Sequence, residues 1–266
     1  MSSLTGPIGV FDSGLGGLTI LKELATTMPW EDFVYLGDIA RLPYGTKSQQ
    51  VVAKYSNTCA NFLCQQGIKA LVVACNTATA MALPLLRQQL SIPVLGVIEP
   101  GVRACLDISE KNPILVLATE GTVKSEAYLK EFQRQGFHGK VDQLFCPLLV
   151  PLAEEGWFDH SITKDVIRNY LSSTDISQYG ALLLGCTHYP LLEQSFRNVL
   201  GDAVPITHGG ALLAKQLASF LGEKNLLQTQ PRPRAMTFLS TDQIKASLPI
   251  LNALFTENVF FKTIDL

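Results

Sequence analysis

Neither sign of charge dominates this sequence: 21 Lys+Arg stand against 23 Asp+Glu in 266 residues, a formal net charge of −2. Proteins that hold a polyanion do so by releasing counterions to clustered cations, so nucleic acid is not expected as a primary partner. There is no run approaching about 20 apolar residues, and residues 1–17 lack the basic start and apolar core of a secretion signal. Neither membrane association nor export is expected, and the expected location is cytoplasmic. Six cysteines are present, but no Cys-x-x-Cys pair, and the four histidines lie far apart. That spacing argues against a metal site, and a reducing compartment argues against a disulfide framework. Charged residues make up only 17% and hydrophobic residues 47%, which excludes the composition of a disordered chain.

What is present is an α/β rhythm. Short apolar runs at 8–11, 33–36, 70–74, 94–97, 114–117, 181–184 and 236–239 alternate with helix-period segments at 18–25, 49–66, 122–135, 164–171 and 210–221. Such alternation predicts βαβ units and mostly parallel sheet. The chain also echoes itself. Ala70-Leu-Val-Val-Ala-Cys75 returns as Ala181-Leu-Leu-Leu-Gly-Cys186, 111 residues later, and Ile8-Gly-Val-Phe-Asp-Ser13 returns as Ile114-Leu-Val-Leu-Ala-Thr119, 106 residues later. Two echoes in the same order at nearly equal offsets predict two pseudosymmetric α/β domains.

In open α/β sheets ligands bind beyond the carboxyl ends of strands, and both echoed cysteines stand there. Cys75 opens Cys75-Asn76-Thr77, and Cys186 opens Cys186-Thr187-His188. An isolated cysteine usually packs as a small hydrophobe, which is the reading for Cys59, Cys64 and Cys105. A matched pair with polar neighbours fits another task. Inverting a carbon acid requires a base on one face and an acid on the other, and a thiol titrating near pH 8.5 can be tuned to either role. Asp12 and His188 are available to assist Cys75 and Cys186 respectively. The loop Asp12-Ser13-Gly14-Leu15-Gly16-Gly17 is not a dinucleotide fingerprint, because Thr19 stands where the third glycine belongs. It reads instead as a turn whose N–H groups approach a carboxylate.

These segments, together with Tyr35-Leu-Gly-Asp38, Pro43-Tyr44-Gly45, Cys146-Pro147, Glu154-Glu155-Gly156 and Leu184-Gly-Cys-Thr-His-Tyr-Pro190, resemble the glutamate racemases of the Asp/Glu racemase family over residues 8 to about 200. The resemblance implies an Asp/Glu racemase-like fold with the active site in the interdomain cleft. The first domain would comprise 1–97 plus 208–266, and the second 98–207. By similarity, Cys75 and Cys186 are the proton donor and acceptor, Asp12, His188 and Glu154 assist them, and no cofactor or metal takes part. The implied substrate contacts are Asp12, Ser13, Tyr44, Gly45, Asn76, Thr77, Thr119, Thr187 and His188. The implied partner is a small-molecule substrate, L- or D-glutamate, with the product feeding peptidoglycan synthesis. A homodimer is one assembly the pattern allows. Thr207-His208 departs from the family, many of whose members carry an acidic pair there.

Three other readings meet the same residues. An aspartate racemase would differ in which amino acid turns over. An amino-acid sensor would bind in the same cleft without loss of optical rotation, and a redox protein would form a reversible disulfide between Cys75 and Cys186.

Overall fold

A computed structural model describes residues 6–244, 249–256 and 259–266. The portions of the expected first domain at 1–5, 245–248 and 257–258, and the start of the segment read for a secretion signal, lie outside the described residues.

Two mostly buried sheets organise the chain. The first contains β1 (Ile8–Asp12), β2 (Phe33–Gly37), β3 (Ala70–Val73), β4 (Val94–Gly96), β9 (Met236–Ser240) and β10 (Phe261–Thr263), in the order β10-β9-β2-β1-β3-β4. The second contains β5 (Ile114–Ala118), β6 (Val141–Phe145), β7 (Ala181–Gly185) and β8 (Ile206–Thr207), in the order β6-β5-β7-β8. All pairings are parallel. The central strands read as continuous apolar runs because helices cover both of their faces: every residue of β1, β3, β5 and β7 is buried.

The duplication extends to register. β2-β1-β3-β4 in one sheet matches β6-β5-β7-β8 in the other, Ile8 pairs with Phe33 and Ala70, and Ile114 pairs with Val141 and Ala181. The returning strands β9 and β10 extend the first sheet alone.

Helix α1 (Leu18–Thr27) packs Leu18, Leu21 and Leu24 into the core shared with α10 (Gly210–Glu223). Each such leucine, fully withdrawn from water, contributes roughly 1.5–3 kcal/mol before entropy is counted. Helix α2 (Gln49–Gln65) starts where the Ser48 hydroxyl accepts the Val51 N–H, as expected of a cap. Helices α3 (Asn76–Gln89) and α4 (Ile98–Ile108) follow β3 and β4, and α4 packs against both α10 and β7. The single helix expected over 122–135 is two helices, α5 (Glu120–Lys124) and α6 (Ala127–Arg134). The break has a local cause: Ser125 donates its hydroxyl to the Thr122 carbonyl and accepts the Ala127 N–H, and Glu126 turns left-handed at φ 57°. Short α7 (Leu149–Glu154), then α8 (Ser161–Leu171), α9 (Glu193–Leu200) and α11 (Pro249–Leu254) complete the helices described. None is long and apolar enough to cross a membrane.

Candidate active site

The loops after β1, β2, β3, β5, β6 and β7 enclose a cavity of about 340 Å³. It draws Ser13, Tyr44, Gly45, Cys75, Asn76 and Thr77 from the first sheet's loops, and Thr119, Glu154, Cys186, Thr187 and His188 from the second's. Both thiols face the same space. Leu42, Pro43, Pro147, Val150 and Pro151 form an apolar wall around the polar groups, which limits water around reacting charge.

Cys75 caps α3. Its sulfur accepts the Ala78 N–H at 3.4 Å and its thiol points to the Ser13 hydroxyl at 3.6 Å. Burial, reinforced by the charge of Asp12, pushes the Cys75 thiol up to about 12, while the Ala78 N–H and the Ser13 hydroxyl act the other way. Cys186 has a different neighbour: its sulfur lies 3.9 Å from Nδ1 of His188, whose Nε2 is 2.5 Å from Oε1 of Glu154. Burial favours neutral imidazole at His188, but the hydrogen bonds and charges of Cys186 and Glu154 outweigh it and raise the group well above its ordinary value. The site therefore favours the protonated form of His188, held between a sulfur and a carboxylate.

Asp12 is fully buried and sits beneath the cavity. Its carboxylate accepts the Gly14 N–H at 3.0 Å and the Thr187 hydroxyl at 3.4 Å. Asp12, expected to assist Cys75, makes no hydrogen bond to it; Ser13 lies against the thiol, and Asp12 bears on Cys75 through its charge. Burial raises the Asp12 carboxyl, opposed by the charge of His188 and by the Gly14 and Gly17 N–H groups. A loop N–H group expected to face a ligand, that of Gly14, is thus turned onto Asp12. The loop's glycines serve a close approach instead: a Cβ on Gly16 would fall 2.4 Å from His188 Nδ1 and 2.5 Å from Thr187 Oγ1.

Further bonds cross the cleft. Thr19 donates to the Thr187 carbonyl at 3.0 Å, and Asn76 donates to the Tyr128 hydroxyl at 2.8 Å. The hydroxyls of Thr77, Thr119 and Thr122 form a triangle with sides of 2.8, 3.2 and 3.0 Å. Tyr44 donates to Asp38 at 2.5 Å, and Asp38 also holds Arg41 and Thr241. Thr207 and His208 stay outside the cavity lining; His208 Nδ1 accepts the Gly210 N–H at 3.3 Å.

Tyr128, Thr122 and Thr241 are not among the site residues read from the sequence, and Asp38 enters there only as the end of Tyr35-Leu-Gly-Asp38. Thr122 lies three positions past Thr119, an N-cap spacing that was readable; the others act across long sequence separations without a local pattern.

Among the described residues no lysine or arginine lines the cavity, whereas Glu120, Glu154 and Glu155 do. An anionic ligand must therefore be held by hydroxyls, amide groups and backbone N–H groups, helped by the positive end of α3, which opens at Asn76.

The Asp/Glu/hydantoin racemase family model matches residues 18–217. The chain belongs to that family. A glutamate racemase from Geobacter metallireducens is 47% identical over 83% of this chain and 82% of its own length. The crystal structure of a Francisella tularensis glutamate racemase with D-glutamate matches with a TM-score of 0.89 and 38% identity, covering 98% of both chains. A glutamate racemase isoform from Bacillus anthracis matches with a TM-score of 0.91 and 35% identity, also covering 98% of both. The family's α/β architecture and this chain's duplicated sheets are the same fold.

Proposed function

We propose that this racemase-family chain interconverts L- and D-glutamate without a cofactor, using Cys75 and Cys186 as the two acid/base groups. The observation that carries the reading is the pair of thiols at equivalent strand ends of two duplicated sheets, both lining one cavity. Glutamate, rather than aspartate, follows from the relatives at 35–47% identity, all glutamate racemases.

The reaction balances without a redox partner. One cysteine, as thiolate, takes the Cα proton; the electron pair of the broken C–H bond passes to Cα and into the adjoining carboxylate. The other cysteine, as thiol, donates its proton to the opposite face. The thiol and thiolate have then exchanged sides, ready for the reverse reaction. Negative charge developing on the substrate carboxylate needs preorganised donors, and Ser13, Asn76, Thr77 and Thr187 are the side chains available at the cavity. Asp12 tunes the Cys75 side through charge, and the His188–Glu154 pair exchanges protons with Cys186. Tyr44, Gly45 and Thr119 complete the contacts.

The division into 1–97 plus 208–266 against 98–207 belongs to the same proposal, supported by strand membership in the two sheets. Provision of D-glutamate for peptidoglycan, a cytoplasmic location and a homodimer in solution go with it. Circular dichroism of L-glutamate, with no cofactor added, is the test. Loss of signal to zero is expected, with aspartate turning over far more slowly; a stable signal despite measurable binding would make the chain a sensor instead.

A further inference from the structure

Tyr128 belongs to neither thiol segment, yet it touches both. It lies on α6 and is almost wholly buried, at 1% exposure. Its hydroxyl accepts the Asn76 Nδ2–H at 2.8 Å, and Asn76 directly follows Cys75. Its ring lies against Gly185, where an added Cβ would come within 2.8 Å of Cε2, and Gly185 directly precedes Cys186. Tyr128 is the second residue of α6, whose N-cap is the left-handed Glu126. Without that break, a continuous helix over 120–134 would carry the side chain around a different arc.

We propose that Tyr128 is a positioning residue for the two-thiol reaction: its hydroxyl fixes the Asn76 amide at the cavity wall, and its ring sets the backbone from which Cys186 projects. The proposal rests on the racemase reading above. Asn76 lines the cavity and Tyr128 does not, so Tyr128 acts on substrate only through Asn76 and Gly185. Fixing the amide matters because its two ends are chemically opposite: with one N–H held by the Tyr128 hydroxyl, the amide plane is set, and the second N–H and the carbonyl each point in one direction. A free rotor would present either end to the substrate. Positional errors of about 1 Å in such contacts cost on the order of 100-fold in rate.

The test uses the full chain as wild type, Tyr128→Phe, Asn76→Ala and the double variant. Turnover is followed from both enantiomers, and thermal melts are recorded alongside. Because the equilibrium constant for racemisation is unity, kcat/KM must be equal from the two enantiomers in every variant. Tyr128→Phe keeps the ring over Gly185 and removes only the hydroxyl. We expect it to lower kcat/KM about tenfold, the scale of one hydrogen bond, chiefly by raising KM, with the melting temperature little changed. In the Asn76→Ala background the same change should cost nothing further, since the group it positions is gone. Equal losses in both backgrounds would assign Tyr128 to packing and overturn the proposal, as would unchanged kinetics or a Tyr128→Phe chain that fails to fold. Inactivity of the wild type would overturn the racemase reading itself; active wild type with unaffected Tyr128→Phe overturns only this inference.

Discussion

Cys75 and Cys186 stand at the same point of two matched sheets, beyond β3 and β7, whose neighbours pair in the same register. Around the sulfur the sites diverge. Cys75 has neutral partners, an N–H of its own helix and a serine hydroxyl, with a buried carboxylate beneath. Cys186 has an imidazole backed by a carboxylate and shifted toward its protonated form. Duplication supplied two opposed thiols, and divergence gave them different proton chemistry. The conclusion is that symmetry of the reaction needs matched positions for the two groups, not matched surroundings, because only the combined barrier has to be the same from either enantiomer.

The coarsest way to break the comparison is to remove one sulfur. Cys75→Ala and Cys186→Ala should each abolish racemisation, by at least the 10²–10⁴-fold typical of losing a general acid or base, while unfolding curves stay close to wild type. Near-normal turnover by either variant would eliminate the two-thiol scheme.

Isotope incorporation separates the faces without mutation. In heavy water the donating thiol carries deuterium, and the abstracting thiolate collects the substrate's own hydrogen. D-Glutamate formed in the first few per cent of conversion from L-glutamate should be deuterated at Cα, and recovered L-glutamate should hold far less label. Mass spectrometry of separated enantiomers gives the answer, and abundant unlabelled D-glutamate would point to one base serving both faces.

His188→Asn and Asp12→Asn probe the divergent surroundings. Each disturbs one thiol, so each should change kcat unequally in the two directions, by about tenfold or more in the affected one. The compensating change falls in KM, since kcat/KM is constrained to be equal. Initial rates from both enantiomers at saturation measure this, and identical small changes in both directions would detach these residues from the thiols.

How much of this was readable beforehand depends on which forces shaped each residue. β1, β3, β5 and β7 were legible because a strand covered on both faces must be apolar throughout. β6 was missed: Val141-Asp-Gln-Leu-Phe145 is a half-exposed edge strand with no single pattern. α4 was missed because Pro100-Gly101 reads as a turn, although a proline in the first helical turn sacrifices no hydrogen bond. α3 carries Pro84 in its interior and starts with residues chosen for the cavity. The thiols were legible through repetition. The role of Ser13 on Cys75, and of Tyr128 on Asn76, arises only when distant segments meet.

The smallest expected effect is also the most discriminating between the two sites, because it reads their protons through stability. A group whose pKa is raised on folding binds its proton more tightly in the native state, so its stabilisation is complete below the unfolded value and declines as pH rises toward the folded one. His188 is raised well above 6.5. Its contribution should therefore be full below pH 6.5 and fall above it, at a slope approaching about 1.4 kcal/mol per pH unit. Cys75 is raised from 9.0 to about 12, so its contribution holds up to about pH 9 and falls only beyond it. Denaturant unfolding between pH 6 and 8 should show His188→Asn losing this downward slope, while Cys75→Ser keeps it. Between pH 9 and 10.5 the Cys75→Ser profile should instead be the flatter of the two relative to wild type. Parallel profiles for wild type and His188→Asn from pH 6 to 8 would mean that the imidazole is neutral, and the contrast between a thiol with neutral partners and an imidazolium-paired thiol would have to be abandoned.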